Sequence, residues 1–346
     1  MKRSFPAAFA ALLVAACSVG REGALPPGGA VANGALSAAE RVLPAAGGSV
    51  FVANWYGNTV TVYSAGGRSK LRTITTGIGY PNAIAIAKTG TVYVGNYGSP
   101  SGSITSNVAV YGANGGQPMR TITQGLLGPY AIAFGPTGKV YVANFGGPTV
   151  TVYGKGSISV LQTISTGVRS PEALVFDRAG NLYVANFASN TVTVYAPGKA
   201  SPMKTFSASI SRPDSLALDS AGRLFVANHR TNSIAVFAPG HKNEPRTITK
   251  GVHAPLTVIS TPSKELFVLN YDNNSVSVYS EATFDLLRVI KTGIACPTTM
   301  AMSGTGLLYV ANACPSSVSV YSSSGTKPLR SITSGLDGPV AIGIAP

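Results

Sequence analysis

The sequence predicts an all-β fold in which seven four-stranded blades close into one β-propeller, and three observations predict it. The first is a repeat. An Asn in one local context recurs as Asn54, Asn96, Asn144, Asn186, Asn228, Asn270 and Asn312, at spacings of 42, 48, 42, 42, 42 and 42 residues. Units of this length that read as short strands belong to radial arrays. The second is composition: 45% hydrophobic residues against 11% charged ones, with 40 Gly and 23 Pro in 346 residues. That mixture fills a large core and supplies many tight turns. The third is the chain's end. Residues 339–345, PVAIGIA, repeat a strand that is missing before the first Asn-bearing segment, where Val42-Leu43-Pro44 is a poor match. The C-terminal strand therefore completes the first blade and closes the ring, removing two exposed sheet edges.

One copy shows the four strands. Residues 173–176 (ALVF) follow a proline, and Arg178-Ala179-Gly180-Asn181 make a tight turn. Residues 182–185 (LYVA) are apolar on both faces and so buried on both. Residues 191–195 (TVTVY) alternate with period two, as expected of a strand with one wetter face. Residues 203–206 (MKTF) are the fourth strand, outermost if the proline-led strand is innermost. The proline recurs as Pro81, Pro129, Pro171, Pro213, Pro255, Pro297 and Pro339, where it needs no ladder N–H. The hairpin Gly recurs at 90, 138, 180, 222 and 306, with Lys264 as the exception, and the third strand always ends in Tyr or Phe. Those aromatics are expected to fill the gaps between blades.

Before the ring lie two segments of different character. Residues 1–16 carry Lys2 and Arg3 and then an apolar stretch, the pattern of a secretory signal too short to span a bilayer. It ends in Val14-Ala15-Ala16-Cys17, which resembles a bacterial lipobox. The resemblance implies lipidation of Cys17, membrane attachment through that lipid and an address in the cell envelope. Ser18 rather than Asp at the next position points to the outer membrane if the cell is Gram-negative. Residues 17–48 hold the lipidated Cys and an Ala-, Gly- and Pro-rich tether, and residues 49–346 are the propeller. The formal charge of +14 falls to +12 once Lys2 and Arg3 leave. No run of basic residues or recognition motif points to nucleic acid, and the ring is expected to be a monomer.

The segments VYVGN at 92–96, VYVAN at 140–144 and LYVAN at 182–186, with SNTVTVY after them and a GxxxP lead such as 167–171, resemble YVTN and NHL β-propeller repeats over residues 50 to 346. The resemblance implies that the proline-led strand lines the central channel. It implies little about activity, because such repeats serve as extracellular scaffolds, binding modules and a few enzymes. Among the enzymes is streptogramin lyase, whose metal-dependent chemistry uses Glu and His. This chain has only His229, His241 and His253 and lacks a His-x-His or Glu-x-His pair. No catalytic set is evident, and no cofactor is expected.

Function is expected where the copies differ. Residues after the leading prolines would ring one channel mouth: Asn82, Tyr130, Glu172, Asp214, Leu256, Thr298 and Val340, of which the first four are the candidate ligand or metal site. Their oxygens would suit Ca²⁺ or Mg²⁺, or the carboxylates simply compensate Arg169 and Arg212. A second ring follows the anchor Asn: Trp55, Tyr97, Phe145, Phe187, His229 and Tyr271. Exposed, it could stack on a glycan or a protein ligand; buried, it would wedge the blades apart. A third, basic set (Arg72, Arg120, Lys204, Arg246, Arg288, Arg330, with Gln162 the odd member) begins the outermost strands and would discourage edge-to-edge pairing. Cys296 and Cys314 lie symmetrically about a turn at Thr305, and cross-strand neighbours in an oxidising compartment would form a disulfide. The expected function is a lipid-anchored, extracytoplasmic binding or scaffolding module. The alternative is a metal-dependent lyase or lactone hydrolase of the streptogramin lyase or gluconolactonase type.

Overall fold

The computed structural model describes residues 48–99, 105–240 and 244–346. The signal segment, Cys17 and nearly all of the tether lie outside the described residues. Within the described chain are seven four-stranded antiparallel sheets. In six of them the strands run in sequence order, as in Pro171–Phe176, Leu182–Asn186, Thr191–Tyr195 and Lys204–Phe206. In the remaining sheet the C-terminal strand Pro339–Ile344 pairs with Val50–Asn54, opposing Ile342 to Val52. The expected closure is the observed one, and we number this sheet blade 1. The proline-led strands of neighbouring blades contact each other around the whole ring, so they are innermost.

The second strand shows why the unit is apolar without a period. Leu182 and Val184 pack toward blade 3, with Tyr141 and Val152. Tyr183 and Ala185 pack toward blade 5, with Leu216 and Val226. Each such side chain contributes about 1.5–3 kcal/mol when taken from water. The third strand departs from expectation. Its polar residues are buried rather than wetted: Thr193 is 1% exposed, because its hydroxyl accepts from Asn186 Nδ2 at 3.0 Å.

The conserved-looking Asn is a staple. Asn186 Oδ1 accepts from the Arg169 N–H at 3.1 Å, and every other anchor but Asn54 likewise accepts from the residue seventeen positions back, as in Asn228 from Ser211 and Asn270 from His253. The third-strand tyrosines also do more than fill space. Tyr195 Oη donates to the Thr166 carbonyl at 2.7 Å, and Tyr321 Oη to Thr292 at 2.8 Å. Both carbonyls lie in the loop arriving from the previous blade. The hairpin position holds its left-handed backbone with either residue, Gly180 at φ 82° and Lys264 at φ 63°.

The basic set turns out to be a series of clasps. Arg72 donates to the Ala113 carbonyl at 2.7 Å, Gln162 to Gly198 at 3.2 Å, Lys204 to Gly240 at 3.4 Å and Arg246 to Thr283 at 3.1 Å. Arg288 reaches Ser323, and Arg330 of blade 7 reaches Gly66 of blade 1. Each clasp crosses to the next blade. Arg120 is the exception and donates to Tyr93 Oη at 2.9 Å. These side chains hold the perimeter together instead of simply decorating it.

Candidate functional site

The channel mouth is built from a repeated backbone irregularity. In every innermost strand the register slips just after the leading proline, as between Pro171 and Ala173 or Pro213 and Ser215. The residue in between is a β-bulge, unpaired in the ladder and re-aimed. Those residues are Asn82, Tyr130, Glu172, Asp214, Leu256, Thr298 and Val340, and all seven are buried.

The residue before each proline adds strain. Tyr80, Ser170, Arg212, Ala254 and Cys296 all have φ between 44° and 50°, and Gly128 and Gly338 take the same region. A non-Gly residue there costs about 1–3 kcal/mol. Asparagines in the loop after the second strand offset it. Asn190 Oδ1 accepts from the Arg212 N–H at 2.8 Å, and Asn58, Asn232 and Asn274 do the same for Tyr80, Ala254 and Cys296. The Asn of the SNTV stretch thus helps to shape the mouth.

Tyr97, Tyr130, Glu172, Arg212, Asp214 and His229, from neighbouring blades, meet here. Asp214 Oδ2 lies 2.9 Å from His229 Nδ1, a short contact off the ideal hydrogen-bond direction. The His229 N–H donates to the Arg212 carbonyl at 3.1 Å. Burial pushes the Glu172 carboxyl well above the usual carboxylate range, the charge of Asp214 and a hydrogen bond with it push further, and Arg212 opposes. Burial and the neighbouring charge both favour the neutral form of Glu172. Burial also raises the Tyr130 hydroxyl, followed by the charges of Glu172 and Asp214 and by Tyr97, with Arg212 again opposing. Asn82 is fully buried with neither amide atom hydrogen-bonded among the described residues, and Glu172 Oε1 and Asp214 Oδ1 are in the same state. The rest of the ring differs: Leu256 and Val340 are apolar, and Thr298 Oγ1 is satisfied by the Pro339 carbonyl at 2.7 Å. The mouth is polar on one side and sealed on the other.

A hard divalent cation wants several ionised oxygens; burial favours the neutral form of Glu172, and the Arg212 charge opposes it. Among the described residues, no group of three or more His, Cys, Asp or Glu is arranged for a metal. What the arrangement can do is donate a proton from Glu172 and accept hydrogen bonds at three oxygens.

The aromatic ring is an arc of contacts rather than an open surface. Trp55 packs against Tyr80 and Tyr97, with ring centroids 5.2 Å and 5.9 Å apart. Phe145 meets Tyr130 at 5.1 Å and Phe187 at 5.8 Å, and the Arg212 guanidinium lies 4.6 Å over Phe187. Trp55 and Phe187 are buried; Tyr97, Phe145, His229 and Tyr271 are half-buried. Tyr271 sits apart, near both Cys296 and Cys314, whose charges add to the burial that raises its hydroxyl.

No disulfide joins Cys296 and Cys314. The expected symmetry about Thr305 holds from Thr299 inward, where Thr299 opposes Ala311, but the bulge shifts the register so that Pro297 opposes Asn312. Cys296 consequently faces Ala313, whose N–H donates to its carbonyl at 3.0 Å, and Cys314 falls one residue beyond. A cleft between blades 3 and 4, lined by Tyr141, Phe176, Tyr195 and Pro197 among others, encloses about 10 Å³. It has room for one water at most and shares no residue with the mouth cluster.

Sequence reasoning found the ring of residues after the prolines but missed the bulge that aims them and the part played by Arg212 and Asn190. A signal existed: two of the seven residues before the prolines are Gly128 and Gly338, a hint of left-handed backbone at the equivalent positions.

No family profile and no curated protein matches this chain. Solved structures do. A protein of unknown function from Desulfotomaculum acetoxidans superposes with a TM-score of 0.70 at 16% identity, covering 86% of this chain and 99% of its own. A Bacteroides fragilis protein proposed to be a 6-phosphogluconolactonase gives 0.70 at 13% identity, covering 89% and 100%. A Lactobacillus plantarum protein gives 0.69 at 15% identity, covering 87% and 100%. At such identities the likeness is one of fold, and with the seven closed sheets it makes this chain a seven-bladed β-propeller.

Proposed function

We propose that the chain is an exported, lipid-anchored propeller of the YVTN/NHL repeat type that acts as a binding or scaffolding module, with its ligand engaged at the polar side of the mouth. The observation that carries this reading is the asymmetry of the bulge ring. All seven bulge residues could have been apolar, yet Asn82, Glu172 and Asp214 keep buried oxygens without hydrogen-bond donors, each of which costs about 1–3 kcal/mol. Three costs of that kind on one side of the ring favour a ligand that supplies donors, such as the hydroxyls of a glycan or the N–H groups of a peptide. The test is affinity capture from envelope extract with residues 46–346, which contain every strand. A ligand retained by the parent and lost with Asn82→Ala or Glu172→Gln supports the reading; equal capture by all three ends it.

A second reading is hydrolysis of a lactone at the same mouth. A neutral Glu172 beside the Asp214–His229 pair is a plausible proton donor, and one structure of the same fold is proposed to be a lactonase. Turnover of 6-phosphogluconolactone that disappears in Glu172→Gln would favour it over simple binding.

A further inference from the structure

The strand pairings give the ring two distinct faces. Pro171, Asn186 and Thr191 lie at one end of their sheet, and Phe176, Leu182 and Tyr195 at the other. The mouth cluster is therefore on the first face. The chain enters the ring on the opposite one: Val50 pairs with Tyr63 and Ile344, and Ser49 accepts from the Ala345 N–H at 2.9 Å. Anything attached before residue 48 reaches the ring from the side away from the mouth.

That entering side carries an unusual set of exposed apolar residues. Leu71, Met119, Leu161, Met203, Leu287 and Leu329 are between 51% and 63% exposed. All six occupy one equivalent position, immediately before the clasp residue of the outermost strand. In blades 1, 3 and 6 this residue is a second bulge, since Val62 opposes Arg72 while Tyr63 opposes Lys70, and the other two follow the same pattern. In blades 2, 4 and 7 its N–H shares a carbonyl with the clasp, as Met203 donates to Val194 opposite Lys204. The bulge turns the clasp sideways to the next blade and leaves its apolar neighbour in solvent. Ile158, also exposed, lies in a turn of the same face.

Charge on this face is complementary to an anion. Arg68, Lys155, Arg178, Lys199 and Lys327 are exposed in its turns. Half of its acids are engaged by cations, Asp219 and Glu281 by Arg223 and Glu265 by Arg288 at 2.5 Å; Asp177 bonds Asn181, and Glu244 and Asp285 are exposed but fewer than the free cations. Scattered apolar side chains need no explanation, but six at one structural position, set among exposed cations, match the two requirements for holding an anionic bilayer surface.

We infer that this face, the one from which the N-terminal segment departs, rests on an anionic lipid surface, with the apolar bulge residues dipping into the headgroup region. The lipid anchor then determines which membrane is met, and the rim sets the orientation, so that the mouth points away from the bilayer. The inference rests on the reading of an envelope protein only for the identity of that membrane.

The test uses residues 46–346 without any lipid, so attachment through Cys17 plays no part. Partitioning is measured onto phosphatidylcholine vesicles with and without phosphatidylglycerol. Binding is expected only with the anionic lipid, weakening as salt rises. The triple variant Leu71→Ser, Met203→Ser, Leu287→Ser should bind about tenfold more weakly, from the apolar area it withholds. Leu127→Ser, equally exposed on the mouth face, should bind like the parent. Brominated lipid should leave the single tryptophan, Trp55 near the mouth, unquenched, and should quench a tryptophan placed by Met203→Trp. Equal binding to neutral vesicles, no binding, or an effect of Leu127→Ser matching the triple variant would overturn the inference. Acylation of Cys17, read by mass of the exported full chain, is a separate measurement: its failure would remove the anchor and leave the rim result standing.

Discussion

The Tyr63 hydroxyl of blade 1 donates to the Ser334 carbonyl at 2.6 Å, joining residues 271 positions apart in sequence. Beside it, Thr61 Oγ1 donates to the Gly335 carbonyl at 2.5 Å, and Asn54 Oδ1 accepts from the Asp337 N–H at 3.2 Å. The Tyr bond is the one that every blade except blade 5, which has Phe237, makes to the loop before it, here made across the ring closure.

Closure should consequently be indispensable. Deleting residues 338–346 removes the innermost strand of blade 1 and leaves Phe51 and Ala53 facing water. The truncated protein is expected to lose its cooperative melt, followed by circular dichroism; a transition like the parent's would refute the expectation. Tyr63→Phe keeps the packing and removes one hydrogen bond, so it should cost only about 1 kcal/mol.

Asn186→Ala should be far more damaging than its small change in volume suggests. It orphans the Arg169 N–H and the buried Thr193 hydroxyl. At about 1–3 kcal/mol per buried group, a loss of about 2–4 kcal/mol is expected from chemical denaturation. Thr191→Ala, which loses a partly exposed partner of the same amide, should cost less than half of that.

Glu172 predicts a pH dependence with a definite sign. Its folded pKa is raised, first by burial and then by Asp214. The stability it contributes is whole below the unfolded glutamate value of about 4.3 and is lost as pH rises through the folded pKa. Glu172→Gln stays neutral throughout. Its melting temperature should exceed the parent's by an amount that grows as pH rises above about 4.3, and a constant difference would contradict the raised carboxyl.

The register at blade 7 makes a prediction for the thiols. Because the bulge sets Cys296 opposite Ala313, two thiols should titrate in the denatured, unreduced ring. A count of zero would mean that the backbone there shifts by a residue to bring Cys314 into line.

Much of this molecule was legible in its sequence because the repeat averages seven independent copies. The four strands of one copy, the closing strand at 339–344 and the left-handed turn at Gly180 all emerge from period and residue type. The observed limits differ only at the edges, with Pro171 joining the first strand and Met203 leaving the fourth. Errors arose where a side chain serves a partner far away. Thr193 looked like a solvent-facing residue because alternation cannot reveal that an Asn seven positions back would bury and bond it. The clasps Arg72 and Arg246 looked like loose surface charge because their acceptors, Ala113 and Thr283, are backbone atoms of another blade. Composition carries no trace of a carbonyl's position. Glu172 and Asp214 were visible as departures from the repeat, yet the raised Glu172 carboxyl depends on a bulge that brings consecutive blades together. One-residue slips also explain the cysteines, since counting from a turn assumes a ladder without interruption.

Arg330 of the last blade grips Gly66 of the first just as Arg246 grips Thr283 between interior neighbours. With Ser49 and Ala345 already hydrogen-bonded, the place where the polypeptide starts is an accident of the gene rather than a feature of the ring. A circular permutant, its old ends fused by a short linker and its new ones opened in the loop before Pro213, should assemble the same seven blades. The blade finished last would simply be a different one.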